Sequence, residues 1–210
     1  MRPNLIERYK ASDRINHWFT ALCFILLAAS GLAFFHPSMF WLANLLGGGT
    51  WARILHPFIG VVMFLSFLGL TIRFWHHNRM TGNDRKWLGQ WRDVLNNRED
   101  KLPEVGRYNG GQKLLFWVMV LTMLLLLITG VVIWQPYFAP AFSVTIVRWA
   151  VLIHAISGFV LILGIIVHIY AAIWVKGTIG AMTRGYVTRA WARKHHPAWY
   201  REVTGEANPR

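Results

Sequence analysis

His154 and His168 stand fourteen residues apart inside one unbroken apolar stretch, residues 149–175. At roughly 100° and 1.5 Å per residue, fourteen steps return a helix to nearly the same face about 21 Å further along. A hydrocarbon core is about 30 Å thick, so one helix presents two imidazoles on one side, one near each membrane surface. Ionisable groups at such depth are costly and mark a site by default. The natural occupants are two stacked haems, each with two histidine ligands.

Four apolar stretches can carry such side chains, at about residues 15–35, 54–75, 114–134 and 149–175. Each is near the roughly 20 residues a spanning helix needs. Hydrophobic residues make up 55% of the 210, yet the formal net charge is +13. In a soluble protein that charge would suggest nucleic acid. Here it lies between apolar runs, so the partner is membrane lipid and no nucleic acid is expected. Cys23 is the single cysteine, and no Cys-x-x-Cys-His occurs. No disulfide within the chain is possible, and any haem is held non-covalently. There is no internal repeat, so residues 1–210 read as one membrane domain with a tail over 176–210. The expected fold is all-α and integral to the membrane: a four-helix bundle holding two b-type haems, with short cytoplasmic interfacial helices. A signal peptide, cleaved near Ala28-Ala29-Ser30, is the alternative for the first stretch; acidic Glu7 and Asp13 fit it poorly.

All but two of the 22 Lys and Arg lie in the N-terminal arm, from Arg2, in the middle connection, or in the tail, to Arg210. Only Arg53 and Arg148 fall on the other side. Basic residues mark the cytoplasmic face, so both termini are expected inside. This orientation pairs the histidines by depth. His56 and His154 share the outer level, and His17 and His168 the inner one. A six-coordinate haem iron needs a ligand on each side, from two facing helices, and each pair supplies that. The alternatives are hydrogen-bonded core histidines or two proton-relay pairs. Zinc is disfavoured, since neither level offers a third nitrogen, thiolate or carboxylate. His36, His76, His77, His195 and His196 read as surface residues.

Glycines support flat cofactors. Gly60 and Gly158 each follow a ligand by one turn, and Gly31 lies fourteen residues after His17. Bare backbone lets a macrocycle approach closely, although glycine also serves ordinary helix packing. Arg14 and Arg53 each precede a histidine by three residues, nearer to water, where haem propionates could sit. For Arg14 the basic bias suffices; Arg53 opposes that bias and suggests a specific anion. All nine Asp and Glu, Glu99 and Asp100 among them, fall on the cytoplasmic side. Pumps usually need a carboxylate or comparable relay within their helices. The chain is built to move electrons.

A second candidate site opens the third span, at Tyr108-Asn-Gly-Gly-Gln112-Lys113. Unpaired backbone N–H groups and a positive dipole end favour an electron-rich oxygen there. Asn109 and Gln112 add amide groups at the depth of His168, which suits a quinone headgroup; a plain helix cap is the alternative. Upstream, Trp87, Leu88, Trp91, Val94 and Leu95 suggest an interfacial helix. In the tail, Ile179, Met182, Tyr186 and Ala190 form a stripe that suggests another.

The whole chain resembles the cytochrome b (gamma) subunit of bacterial respiratory formate dehydrogenases. The resemblance is clearest in Arg14-Ile-Asn-His-Trp18, Ala52-Arg-Ile-Leu-His-Pro57, Gly106-Arg-Tyr-Asn109 with Gly111-Gln-Lys113, Trp134-Gln-Pro-Tyr-Phe-Ala-Pro-Ala-Phe142 and His168-Ile-Tyr-Ala-Ala172. It continues through Trp174-Val-Lys-Gly-Thr-Ile179, Lys194-His-His-Pro197 and Trp199-Tyr-Arg-Glu202. It implies a complex in the bacterial inner membrane with an iron–sulfur (beta) subunit and a molybdenum- or tungsten-containing catalytic (alpha) subunit. It also implies two haem b groups, and menaquinone as acceptor. The family's outer ligands fall on His56 and His154, its inner ligands on His17 and His168, and its quinone pocket near Asn109, Gly111, Gln112 and His168. Gly110 departs from the phenylalanine expected in that pocket. Outer loops over 44–51 and 135–147 would dock the iron–sulfur subunit. No catalytic residue is expected here, because formate oxidation belongs to another subunit. Two rivals stand beside this reading: the cytochrome b subunit of a membrane nickel–iron hydrogenase, and a passive anchor or transporter without redox function.

Overall fold

A computed structural model describes residues 4–96, 98 and 101–206. Arg2, Glu99, Asp100 and Arg210 lie outside the described residues. In chain order the elements are β1 (Leu5–Glu7), α1 (Ala11–Phe35), α2 (Gly49–Phe74), α3 (Gly82–Gly89) and α4 (Trp91–Leu95). Then follow α5 (Gly110–Ile133), α6 (Val144–Trp174), α7 (Thr178–Arg184), β2 (Tyr186–Thr188), α8 (Arg189–His195) and α9 (Pro197–Thr204). Short 3-10 turns occupy Pro37–Leu46, Trp75–Asn78 and Ala139–Ala141.

The four expected spans are α1, α2, α5 and α6, each long and apolar enough to cross a membrane. Each begins four or five residues before its apolar stretch. Hydropathy marks only the apolar part of a helix, whereas the first turn needs polar groups for its unpaired N–H donors. Asp13 supplies them in α1, where it accepts from Lys10 N–H at 3.1 Å. Ser143 does so before α6.

The chain divides into two compact units. One comprises residues 15–72 and 118–167, the greater part of the four long helices. Its core takes one buried residue from each helix: Cys23, Met63, Met123 and Leu161. Methionine fills irregular gaps between helices well. Much of the remaining apolar surface faces outward, Leu65 at 60% and Leu163 at 61% exposure. In lipid that exposure has no hydrophobic cost.

The other unit comprises residues 1–14, 73–117 and 168–210. It gathers the basic segments, and here three expectations need correction. The helical class holds, but it includes a two-stranded antiparallel ribbon, with Leu5 opposite Thr188 and Glu7 opposite Tyr186. The tail stripe is therefore not one helix. Ile179 and Met182 lie on α7, Tyr186 on β2 and Ala190 on α8. Gly185 breaks the run at φ +91°, and a Cβ there would meet the Tyr9 carbonyl at 2.8 Å. The interfacial helix expected around Trp87–Leu95 is likewise two short helices, α3 and α4.

His196 is the third correction. It was expected at the surface, whereas His36, His76 and His77 are exposed and His195 half-exposed. His196 is only 3% exposed. Its Nδ1–H donates to the Gly106 carbonyl at 2.9 Å, and Nε2 accepts from Arg8 at 3.3 Å. Arg8 is itself buried, with its guanidinium over the rings of Trp199 and Trp191. Burial, then the Arg8 charge, push the His196 pKa from 6.5 down to about 3. Because the folded value is depressed, the unfolded chain binds this proton first as pH falls. The contribution to stability is complete above about 6.5 and is lost progressively between there and about 3. Thermal unfolding of His196→Gln should therefore show a weaker pH slope than the parent chain across that window. An unchanged slope would remove His196 as the acid-sensitive group.

Candidate functional site

His56 and His154 come together. Their ring centroids lie 6.4 Å apart with planes inclined at 59°. Two imidazoles on opposite sides of one metal, each with a metal–nitrogen bond of about 2.0–2.1 Å, place their centroids roughly 6 Å apart. The pair therefore fits a six-coordinate iron. Both rings line an apolar cavity of about 540 Å³, together with Gly31, Gly60, Gly130 and Gly158. A Cβ at Gly60 or Gly158 would meet nothing within 4 Å, so bare backbone there fronts open space. That cradle suits a flat macrocycle.

Nitrogen chemistry agrees with a ligand role. His56 Nδ1 lies 2.7 Å from Ser30 Oγ, and His154 Nδ1 lies 2.9 Å from Thr129 Oγ1. Each ring is thus held at one nitrogen, and Nε2 is the one for a metal. Ser30, Thr129 and Gly130 were not singled out from the sequence. The signal that could have found them is a hydroxyl–glycine dipeptide, Ser30-Gly31 and Thr129-Gly130, on each of the two helices lacking an outer histidine.

Arg53, predicted beside an anion, is exposed and lines the same cavity. Pro57 follows His56 directly inside α2. It lacks an N–H, so the Arg53 carbonyl loses its helical donor at the cavity.

His17 and His168, expected together at the inner level, belong to different units. His17 is half-buried in the first, edge-on to Trp18 at 5.3 Å. One turn away, Thr20 Oγ1 and Ser66 Oγ lie 2.7 Å apart, and Asn16 donates to the Ser66 carbonyl at 3.1 Å. This polar knot ties α1 to α2 beside the histidine. His168 lies in the second unit on the last turns of α6. Among the described residues, no three His, Cys, Asp or Glu side chains converge as metal ligands.

Asn109 and Gln112 form a reciprocal cap at the start of α5. Asn109 Oδ1 accepts from Gln112 N–H at 2.9 Å, and Gln112 Oε1 accepts from Asn109 N–H at 3.0 Å. This is a capping box with amides in place of the usual hydroxyl and carboxylate. The helix end is thus less open than the sequence suggested. Gly110 is explained by α3. A Cβ at Gly110 would lie 2.7 Å from the Asp84 carbonyl and 3.2 Å from Trp87. At Gly111 it would lie 3.0 Å from Trp87. Phenylalanine cannot occupy position 110 while Trp87 and Leu88 fill that space.

Residues 8–185 match the prokaryotic cytochrome b561 family. The cytochrome b556(fdo) subunit of formate dehydrogenase from Escherichia coli strain K12 is 54% identical over 202 residues, covering 96% of this chain and 95% of the relative. The nitrate-inducible cytochrome b556(Fdn) subunit from the same strain is 46% identical, covering 96% and 93%. A formate dehydrogenase cytochrome b556 subunit from Haemophilus influenzae is 45% identical over 197 residues, covering 94% and 83%.

Proposed function

The chain belongs to the prokaryotic cytochrome b561 family, among formate dehydrogenase cytochrome b subunits, and on that premise we propose that it carries electrons from a periplasmic-side iron–sulfur subunit across the membrane and delivers them to menaquinone near the cytoplasmic face. The observation that carries this reading is the facing of His56 and His154 across an apolar, glycine-lined cavity. A bound haem supplies a one-electron carrier. His56 and His154 hold the outer haem b, and His17 and His168 the inner one. Arg53, exposed and lining the cavity, would supply the cation for a propionate. The catalytic subunit, with molybdenum or tungsten, joins through the iron–sulfur subunit, and formate does not bind here.

Exposed apolar side chains favour the outer loops as the docking surface. Leu45 is 58%, Trp51 56% and Tyr137 66% exposed. The chain sits in the bacterial inner membrane with both termini cytoplasmic. Moving an electron inward opposes a negative-inside potential at about 2.3 kcal/mol per 100 mV, which formate oxidation must supply. Protons for quinone reduction come from the inner side, where all nine carboxylates lie.

Menaquinone meets the chain at Asn109, Gly111 and Gln112, beside His168. The cap uses the side-chain oxygens of Asn109 and Gln112, so their amide hydrogens are the donors for a headgroup carbonyl. Asn109→Asp and Gln112→Glu keep the capping oxygens and remove those donors. In the whole complex, formate should still reduce the haems in both variants, while quinone reoxidises them more slowly. Each 1.36 kcal/mol of lost stabilisation in that step is about a tenfold change in rate. Haems that no longer reduce would place these residues upstream. Normal quinone reduction in both variants and in the double variant would leave residues 108–113 as a helix cap only.

A further inference from the structure

The two hydroxyl contacts of the outer histidines share one design. Ser30 is 1% and Thr129 6% exposed, so neither hydroxyl is a surface group. Ser30 Oγ donates to the Leu26 carbonyl at 2.8 Å, and Thr129 Oγ1 to the Leu125 carbonyl at 2.5 Å. A hydroxyl has one hydrogen. With Nε2 given to the iron, a neutral ring carries its proton on Nδ1. Each hydroxyl oxygen then accepts from the histidine while its own hydrogen goes four residues back on its helix.

The glycine that follows each hydroxyl completes the arrangement. A Cβ at Gly31 would lie 3.8 Å from His56 Cε1, and one at Gly130 only 3.3 Å from His154 Cε1. The hydroxyl grips one ring atom while bare backbone lets the adjacent ring edge sit against the helix. The same dipeptide occurs on α1 for the ligand from α2, and on α5 for the ligand from α6.

We propose that Ser30-Gly31 and Thr129-Gly130 are two copies of one clamp that fixes the orientation and the donor strength of the outer haem ligands. The proposal rests on the assignment of His56 and His154 as those ligands. An acceptor on Nδ1–H makes the imidazole a stronger donor through Nε2, which favours ferric over ferrous iron. Removing it raises the midpoint potential of that haem alone. The residues act through the histidines and are positioning residues.

The test is a redox titration of the purified complex, followed by haem absorbance and by electron paramagnetic resonance. Thr129→Val and Ser30→Ala should each raise the outer haem's potential, by up to about a tenfold change in its one-electron equilibrium, or 59 mV. They should also alter its low-spin resonance, which reports ring orientation. Thr129→Ser and Ser30→Thr keep the hydroxyl and should restore the parent values. Gly130→Ala should disturb the resonance more than Gly31→Ala, as 3.3 Å is tighter than 3.8 Å. The inner haem should titrate unchanged throughout. Thr129→Val, nearly the same shape as the parent residue, decides the matter should Ser30→Ala not assemble. An outer haem with unchanged potential and resonance in Thr129→Val would overturn the clamp, as would equal shifts in both haems. Retention of both haems by His56→Ala would instead overturn the ligand assignment beneath it.

Discussion

His56→Ala and His154→Ala should each yield a complex with about half the haem of the parent, and the haem lost should be the outer one. A first-row metal held by imidazole depends on each ligand, and even supporting residues typically cost 10–100-fold when removed. Loss of the ligand itself should cost more, so formate-driven quinone reduction should fall by on the order of 100-fold or beyond. Two features sharpen the expectation. The rings already face each other at 6.4 Å, and among the described residues no other histidine lines the cavity to substitute. The cavity is apolar, and water that entered it would find few polar partners apart from the remaining histidine. His36→Ala, at an exposed turn outside the cavity, is the control and should leave both haems in place. Pyridine haemochrome content and reduced-minus-oxidised spectra read the result. Full haem content with unchanged low-spin bands would strike the mutated residue from the ligand set.

Lys113→Met should destabilise the unit that contains it by about 3–5 kcal/mol, the usual cost of stranding one member of a buried ion pair. Lys113 Nζ donates to Asp84 Oδ2 at 2.7 Å, with the two side chains 9% and 4% exposed. It also donates to the Arg79 carbonyl at 3.1 Å. Asp84 serves α3 as well, accepting from both Thr81 N–H and Thr81 Oγ–H at 2.7 Å. Burial pushes the Asp84 carboxyl up, but the bonds from Lys113 and Thr81 more than offset it, and it sits below its ordinary 3.8. The pair's contribution is thus present above about 3.8 and is lost as pH falls further. Replacing both partners, Asp84→Leu with Lys113→Met, should recover part of the loss by removing the stranded charge. Unfolding of the detergent-solubilised chain, with limited proteolysis around residues 81–113, reads the outcome. A single variant as stable as the parent would show that water reaches this pair.

Length and hydropathy were enough to find the four spans, because a membrane helix must be apolar over a fixed distance. Depth was enough to match His56 with His154, because helical rise converts residue number into position. Neither argument reaches side-chain partners. Ser30 looked like part of a small-residue stretch, and nothing in the sequence drew attention to Thr129. Their role depends on which helix lies opposite, and periodicity along one helix does not carry that information. The tail failed for a similar reason. Ile179, Met182, Tyr186 and Ala190 do repeat at helical spacing, but β1, far away in the sequence, captures Tyr186–Thr188 as a strand. His196 belongs with them, since its burial is created by Arg8 and the Gly106 carbonyl. The Asn109–Gln112 cap was more legible, as an amide three residues before another is a local pattern.

The ribbon also sets an order of events during synthesis. Leu5 acquires its strand partner only when the ribosome has made Thr188, after all four long helices have been translated. Arg8 waits equally long for Trp191 and Trp199. A nascent chain stalled or cut before β2 therefore displays an unpaired strand and a basic arm. Open strand edges and loose arms are what holdases bind and proteases nick. In the finished chain that strand is paired and the Arg8 guanidinium is buried.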